Sequence, residues 1–296
     1  MNHSLKNAPL VVILGQTATG KSKLALELAK KIDGEIICAD SWTVRREVNI
    51  GADKPSLAER KDIPHHLIDV AGPCDDFTAA VFKTMANKAI DGIYSRGHIS
   101  IMVGGSGLYI DSVIFDYGFL QPGEPGLRSS LNKLSVDELM QKIKKEKLPI
   151  DSNIDTRNKR RLIRLIESGG KKPIRSSLRD NVLVVGIKMD PSDLKLAIEK
   201  RVDNMLETGL EQEVKSLSDQ YGWDCEALKG VGYKQWRRYF EGTQTIDETR
   251  QQIISATNNL AKKQNTWFKR NKSIHWFLQP VNLDTIVDLI TTELAT

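Results

Sequence analysis

Gly15-Gln16-Thr17-Ala18-Thr19-Gly20-Lys21-Ser22 follows the apolar run Leu10-Val11-Val12-Ile13-Leu14 and precedes Leu24-Ala25-Leu26-Glu27-Leu28-Ala29, which has helical spacing. A strand, a glycine-bounded loop, Lys-Ser and a helix form the setting in which G-x-x-x-x-G-K-[ST] reads as a phosphate-binding loop. Its successive N–H groups wrap an anion, and the helix behind them adds its positive end at the same point. Lys21 supplies a mobile cation for the terminal phosphate, and Ser22 a hydroxyl that can hold Mg²⁺. A plain turn between strand and helix requires none of these three fixed residue types.

Length and composition bound what the chain can be. With 296 residues and 40% hydrophobic content it has room for a large α/β domain carrying an insertion. No apolar run approaches the ~18–20 residues needed to span a bilayer, so no membrane partner is expected. The first nine residues hold no apolar stretch of signal-peptide length, and a cytoplasmic protein is expected. Cys38, Cys74 and Cys225 lie far apart with no zinc spacing, and are expected to be reduced, mostly structural thiols.

Apolar runs at 10–14, 35–39, 66–70 and 99–103 alternate with helical patterns at 21–32 and 78–95. That alternation predicts an α/β fold, a parallel sheet flanked by helices, with ligands beyond the carboxyl ends of the strands. Three of the runs end in Asp40-Ser41, Asp69 and Gly104-Gly105-Ser106-Gly107, so all three are expected to face the crevice of the phosphate loop. Asp40 can ligate Mg²⁺ through water, serve as a base, or cap the next turn; its place after the second strand favours a functional role. After 99–103 a hydrolytic motor would carry an Asp for its metal. Here glycines and the Ser106 hydroxyl stand instead, which suits holding an anionic leaving group and argues against ATP hydrolysis.

From 121 to 180 the character changes. Pro122, Gly123, Pro125 and Gly126 make a break, and helical patterns follow at 135–147 and 156–168. Between Gln141 and Arg179 there are thirteen Lys/Arg against four Asp/Glu. Charge runs are usually solvated faces, but this one is too one-sided for a salt-bridged surface and points to a polyanionic partner, most simply nucleic acid. The expected organisation is a catalytic core of 1–120 and 181–296 around a smaller, helical, basic insertion of 121–180.

The core resumes with a strand pattern at 182–188 and a helical one at 191–206. Arg201, on that helix, can reach a diphosphate bidentately or stand as an exposed helix arginine. A long helical pattern at 246–270 holds Lys262, Lys263, Gln264, Trp267 and Arg270. Aromatics among cations suit a surface that stacks bases and neutralises phosphates, although Trp267 and Phe268 equally fit a core. A last strand is expected at 274–278 and a closing helix at 285–294. His65 and His66 are adjacent and so face opposite sides of a strand, which favours structural roles over metal binding.

Together these segments resemble the tRNA dimethylallyltransferases, or isopentenyl transferases. The resemblance runs from about Leu10 to Phe268 and rests on the phosphate loop, Asp40-Ser41, Gly51-Ala52-Asp53-Lys54-Pro55, Ile63-Pro64-His65-His66-Leu67-Ile68-Asp69 and Val103-Gly104-Gly105-Ser106-Gly107-Leu108-Tyr109. It continues through Asn158-Lys159-Arg160-Arg161-Leu162-Ile163-Arg164, Gly209-Leu210 with Glu213-Val214, Gly232-Tyr233-Lys234-Gln235 and Ala261-Lys262-Lys263-Gln264-Asn265-Thr266-Trp267. Each motif is weak alone; all of them in order are very specific.

The resemblance implies transfer of a dimethylallyl group from dimethylallyl diphosphate to the exocyclic amine of an adenine beside the anticodon of tRNA. It implies a monomeric enzyme using Mg²⁺ held at Ser22. Its catalytic residues would be Asp40, Lys21, Ser106 and Arg201, with the diphosphate on Gly15, Gln16, Thr17, Ala18, Thr19, Gly20, Lys21 and Ser22. The tRNA anticodon stem-loop would meet Asp40, Ser41, Trp42, Thr43, Arg160, Arg161, Arg164, Gly232, Tyr233, Lys234, Gln235, Lys263 and Trp267. The alternatives are an adenylate isopentenyltransferase acting on free nucleotide and a small-molecule kinase using the loop for ATP. This sequence departs from the bacterial pattern at Gln16 for proline, Thr43 for glutamine, Arg45 for tyrosine, Ala52 for threonine and Ser106 for threonine. Thr43 and Arg45 lie where the segment is expected to touch the target base, and so bear on RNA sequence preference.

Overall fold

β1 (Leu10–Gly15) is buried along its whole length, as an unbroken apolar run in a parallel sheet requires. The computed structural model describes residues 8–120, 126–150, 154–171 and 173–294. It divides into two compact units, Met1–Phe115 with Leu178–Thr296, and Asp116–Ser177.

In the larger unit, β1 is followed by α1 (Lys21–Ile32), β2 (Gly34–Cys38), α2 (Leu57–Asp62), β3 (His65–His66), α3 (Ala79–Ser95), β4 (Ile99–Gly104) and α4 (Gly107–Ile114). The smaller unit holds α5 (Leu127–Lys133), α6 (Val136–Lys145) and α7 (Lys159–Glu167). The larger then resumes with β5 (Val182–Lys188), α8 (Pro191–Glu207), α9 (Leu210–Tyr221), α10 (Arg237–Phe240), α11 (Ile246–Phe268), β6 (Ile274–Leu278) and α12 (Leu283–Glu293).

The strands run in the order β3-β2-β4-β1-β5-β6, every neighbouring pair parallel. Val12 stands opposite Met102 on one side and Val184 on the other, so β1 and β4 end together with their loops on the same edge. α1 buries Leu24, Ala25, Leu28 and Ala29 into a core that also takes Val11, Ile13, Ile36, Ile101, Val185 and Ile187 of the strands. A second apolar cluster joins α8, α9 and α11 through Ile198, Val202, Leu210, Val214, Ile253 and Trp236.

The expected strand at 66–70 is not formed beyond His66. Leu67 and Asp69 take left-handed backbone angles (φ 63 and 58), which cannot continue a ladder. Asp69 instead receives the Lys54 amine at 2.6 Å and the Arg60 guanidinium at 2.8 Å. The cysteines also differ from expectation: Cys74 and Cys225, 151 residues apart, form a disulfide, and only Cys38 is free. Separation along the chain hid the pairing, because folding alone brings the two segments together.

The smaller unit packs Leu131, Leu139, Ile143, Leu162, Ile163, Leu165 and Ile166 into its own core. α6 opens with a capping box between Ser135 and Glu138, which sets its start one residue inside the expected range. Asn158 caps α7; on that helix Arg160 and Arg161 are exposed while Leu162 and Ile163 face inward. The break expected at Pro122, Gly123 and Pro125 lies outside the described residues. No helix among the described residues is long and apolar enough to cross a membrane.

Candidate active site

The loop after β1 carries the site. Gly20 enters α1 with a left-handed backbone (φ 78), and no side chain caps the helix start. The first N–H groups of α1 are therefore left for an external anion. The Lys21 amine folds back onto the Gln16 carbonyl. The Thr19 hydroxyl also donates to that carbonyl, at 2.9 Å.

Beyond the strand ends, one cleft is lined by Thr17, Lys21, Ser22, Asp40, Trp42, Thr43, Asp53, Gly104, Gly105, Arg201, Gly232 and Gln264. Apolar side chains also line it, Leu26, Ile36, Cys38 and Val103 from one cluster and Val202, Met205 and Ile253 from the other, together with His65 and Thr257. Burial and the neighbouring Arg201 push the Lys21 amine down to about 8. Asp40 and Asp53 act in the opposite direction without cancelling the effect. Burial pushes the Cys38 thiol up to about 12, so at neutral pH it is an inert apolar wall residue.

Asp40 performs its local task through one oxygen. Oδ1 accepts the Trp42 N–H at 2.8 Å and caps the turn, while the residue as a whole lines the cleft. Ser106 accepts the Ser41 N–H at 3.0 Å, and its own N–H donates to the Ala39 carbonyl. It thereby ties the loop after β4 to the loop after β2, beside the cleft rather than among the residues that line it.

Arg201 reaches the cleft from α8 and makes an ion pair with Asp53 at 3.1 Å. Asp53 belongs to a loop hung on one carboxylate: Glu213 accepts the N–H groups of Asn49, Ile50 and Gly51, and the Tyr233 hydroxyl at 2.7 Å. Three of the motifs in the sequence thus meet in a single junction, through Gly51, Glu213 and Tyr233. Glu213 carried a motif but no role in the sequence.

Gln264 is the residue that sequence reasoning missed most clearly. Its Oε1 accepts the Thr17 N–H at 2.8 Å and its Nε2 donates to the Gly105 carbonyl at 3.1 Å. One amide of α11 therefore clamps the phosphate loop to the loop after β4, while Gln16 reaches the other way to the Ala261 carbonyl at 3.1 Å. The available signal was a long polar side chain in line with a buried stripe: Ile253, Thr257, Ala261, Gln264 and Phe268 are among the buried positions on that helix.

Several expected RNA contacts are placed elsewhere. Tyr233 is fully buried on Glu213, and Gln235 is buried accepting the Gly232 N–H; both support the cleft wall instead of facing a ligand. Lys234 and Lys263 are exposed. Arg164 donates to the Leu120 carbonyl and lies near Glu167, so its guanidinium serves its own unit. Arg45, expected near the target base, is buried and donates to the carbonyls of Gly72, Pro73 and Asp75. Thr43 is buried at the cleft with its hydroxyl on the Asp40 carbonyl. Asp69, expected in the same crevice, lines a neighbouring cleft with Lys54 and Arg60.

Phe268 is core. Trp267 donates its indole N–H to Asp111 at 3.0 Å and carries the Arg270 guanidinium 4.1 Å above its ring. It lies so close over Gly107 that any side chain there would strike the indole. His65 meets the Ile63 carbonyl and also lines the cleft, while His66 meets Glu35.

A model of the IPP transferase family matches residues 43–271. The tRNA dimethylallyltransferase of Anoxybacillus flavithermus is 38% identical over 295 residues, covering 96% of this chain and 94% of its own. Among solved structures, the full-length tRNA isopentenylpyrophosphate transferase from Bacillus halodurans superposes with a TM-score of 0.73 at 34% identity, covering 96% of this chain and 95% of its own. A eukaryotic dimethylallyltransferase acting on tRNA shares the fold at a TM-score of 0.78 and 23% identity, over 95% of this chain and 77% of its own. With a family match across most of its length and relatives of this identity, the chain belongs to the IPP transferase family.

Proposed function

We propose that this protein transfers a dimethylallyl group from dimethylallyl diphosphate to the exocyclic amine of the adenine 3′ of the anticodon in tRNA. The observation that carries this reading is the composition of one cleft. It places the cations Lys21 and Arg201 and the strand-end acid Asp40 together with the apolar walls of Leu26, Ile36, Val103 and Ile253. A phosphate tail and a short hydrocarbon are both provided for.

The new bond joins the adenine nitrogen to the allylic carbon as the bond from that carbon to the diphosphate breaks. Negative charge grows on the departing diphosphate, where Lys21, Arg201 and the N–H groups at the start of α1 stabilise it. Thr19 and Ser106 hold the two loops that frame the anion. Asp40 orients the amine and takes its proton as the bond forms. An aryl amine is a weak nucleophile, so positioning matters more than basicity. The base leaves its stack to reach the cleft, at a cost of roughly a few kcal/mol.

Among the described residues no cluster of three His, Cys, Asp or Glu could hold a metal by itself. A lone hydroxyl donor fits Mg²⁺, which keeps few protein ligands; Ser22, which lines the cleft, would hold it. Bound there, it would neutralise charge on the leaving group. Each unit by itself offers exposed cations for the tRNA backbone: Arg160 and Arg161 of α7 in the smaller, Lys263 of α11 and Arg270 just beyond its end in the larger.

The test is transfer of labelled dimethylallyl diphosphate to unmodified tRNA, with free AMP and ATP as parallel acceptors. Label enters tRNA in the parent. Asp40→Asn keeps an oxygen for the Trp42 N–H and so keeps the fold, while transfer falls about a hundredfold or more. Label in AMP or ATP alone would assign the protein to the free-nucleotide transferases, and ATP consumption without label transfer would make it a kinase.

A further inference from the structure

One charged group in the cleft has no part in the chemistry above. Asp53 presents Oδ2 to Arg201 Nη1 at 3.1 Å, inside the cleft that also holds Lys21 and Ser22. Its backbone is fixed. Glu213 holds Asn49, Ile50 and Gly51 immediately before it, and the Asp53 N–H closes a turn on the Ile50 carbonyl at 3.0 Å. Immediately after it, the Lys54 amine is buried on Asp69 and on the Arg45 carbonyl. Asp53 itself has a left-handed backbone (φ 52), which presents its side chain from a rigid turn.

The contact is rigidly presented and weakly held. The Asp53 side chain is 62% exposed and that of Arg201 25% exposed, and solvated pairs of this kind contribute little and exchange readily. A carboxylate offers a guanidinium the same paired oxygens as a phosphate. Asp53 therefore presents to Arg201, through Oδ2, the kind of anionic oxygen that a diphosphate would present.

We propose that Asp53 is an internal competitor for the diphosphate. It occupies Arg201 when the cleft is empty, yields it to the entering donor, and reclaims it as the product diphosphate leaves. The inference rests on the diphosphate reading of the cleft given above. Asp53 lowers the affinity for diphosphate and hastens its release, trading donor binding for turnover.

Calorimetric titration of the full chain with inorganic diphosphate and Mg²⁺ tests this directly. Asp53→Asn preserves the size of the residue and tolerates the left-handed backbone; Asp53→Gly removes the side chain without strain at that angle. Both variants are expected to bind diphosphate about two- to fivefold more tightly than the parent. In an Arg201→Gln background binding is weak, and Asp53→Asn adds nothing. In turnover, Asp53→Asn lowers the KM for the donor and strengthens inhibition by added diphosphate.

Unchanged or weaker diphosphate binding in both folded variants would overturn the proposal, since Asp53 would then be a bystander or an aid that pre-orients Arg201. Failure of the parent itself to bind diphosphate would instead remove the reading of the cleft on which the proposal stands.

Discussion

Lys21 is the residue whose environment says most about function. Burial and Arg201 hold its amine at about 8 against an ordinary 10.5, a displacement worth on the order of 3 kcal/mol against charging it in the empty cleft. The folded pKa is the lower one, so between about 8 and 10.5 the unfolded chain binds the extra proton. The empty protein therefore gains stability as pH rises through that window, and carries the full penalty below it. Lys21→Met should melt higher than the parent at pH 7, with the difference shrinking towards pH 10, as scanning calorimetry would show. The same variant should lose transfer activity, and its residual diphosphate affinity should lack the decline above pH 8 expected of the parent. A buried amine whose charge is penalised in this way suits a site that takes an anion.

At the scale of elements, α11 decides the geometry of the cleft. Its buried stripe, Ile253, Thr257, Ala261, Gln264 and Phe268, recurs every three or four residues, so the helix was legible in sequence. That Gln264 clamps two loops was not, because its partners Thr17 and Gly105 lie 247 and 159 residues away. Gln264→Ala should leave a buried N–H and a buried carbonyl unpaired, costing about 1–3 kcal/mol of stability. It should also reduce transfer roughly tenfold by loosening the phosphate loop. Gln264→Glu keeps an acceptor for Thr17 but sets a negative charge against the Gly105 carbonyl. It should therefore raise the donor KM more than the alanine does, measured beside melting temperature in steady-state kinetics. The short β3 and the helix α9 illustrate the same limit. Left-handed angles at Leu67 and Asp69 ended the expected strand, and α9 serves the cleft through Glu213, whose N–H donors lie in another loop.

For the whole molecule, the Cys74–Cys225 disulfide is the largest departure from expectation. It joins the 72–76 loop, which Arg45 holds from beneath, to the segment that leads to the cleft-lining Gly232. Closing a loop of that length is worth up to about 5 kcal/mol in the chain-entropy account. Reductant should lower the melting temperature of the parent by several degrees and leave Cys74→Ser unaffected. Peptide mapping without reductant should recover Cys74 linked to Cys225 and Cys38 free; a free thiol at all three positions would contradict the pairing. Asp116–Ser177 forms a compact unit with its own apolar core, in which Leu162 and Ile163 lie inward while Arg160 and Arg161 on the same helix are exposed.

The parallel α/β fold, the glycine-bounded loop carrying Lys21 and Ser22, and the position of Asp40 just past a strand end were all written in the amino-acid sequence. Each depends on local order: an apolar run, a fixed spacing of glycines, a helical period. Tertiary structure alone decided which polar residues serve the cleft and which serve the scaffold. It turned Tyr233, Gln235 and Arg45 inward, brought Gln264, Glu213 and Asp53 to the site, and paired Cys74 with Cys225. Side-chain partners separated by more than a hundred residues meet only after the sheet and helices have packed, so no period or spacing along the chain records them.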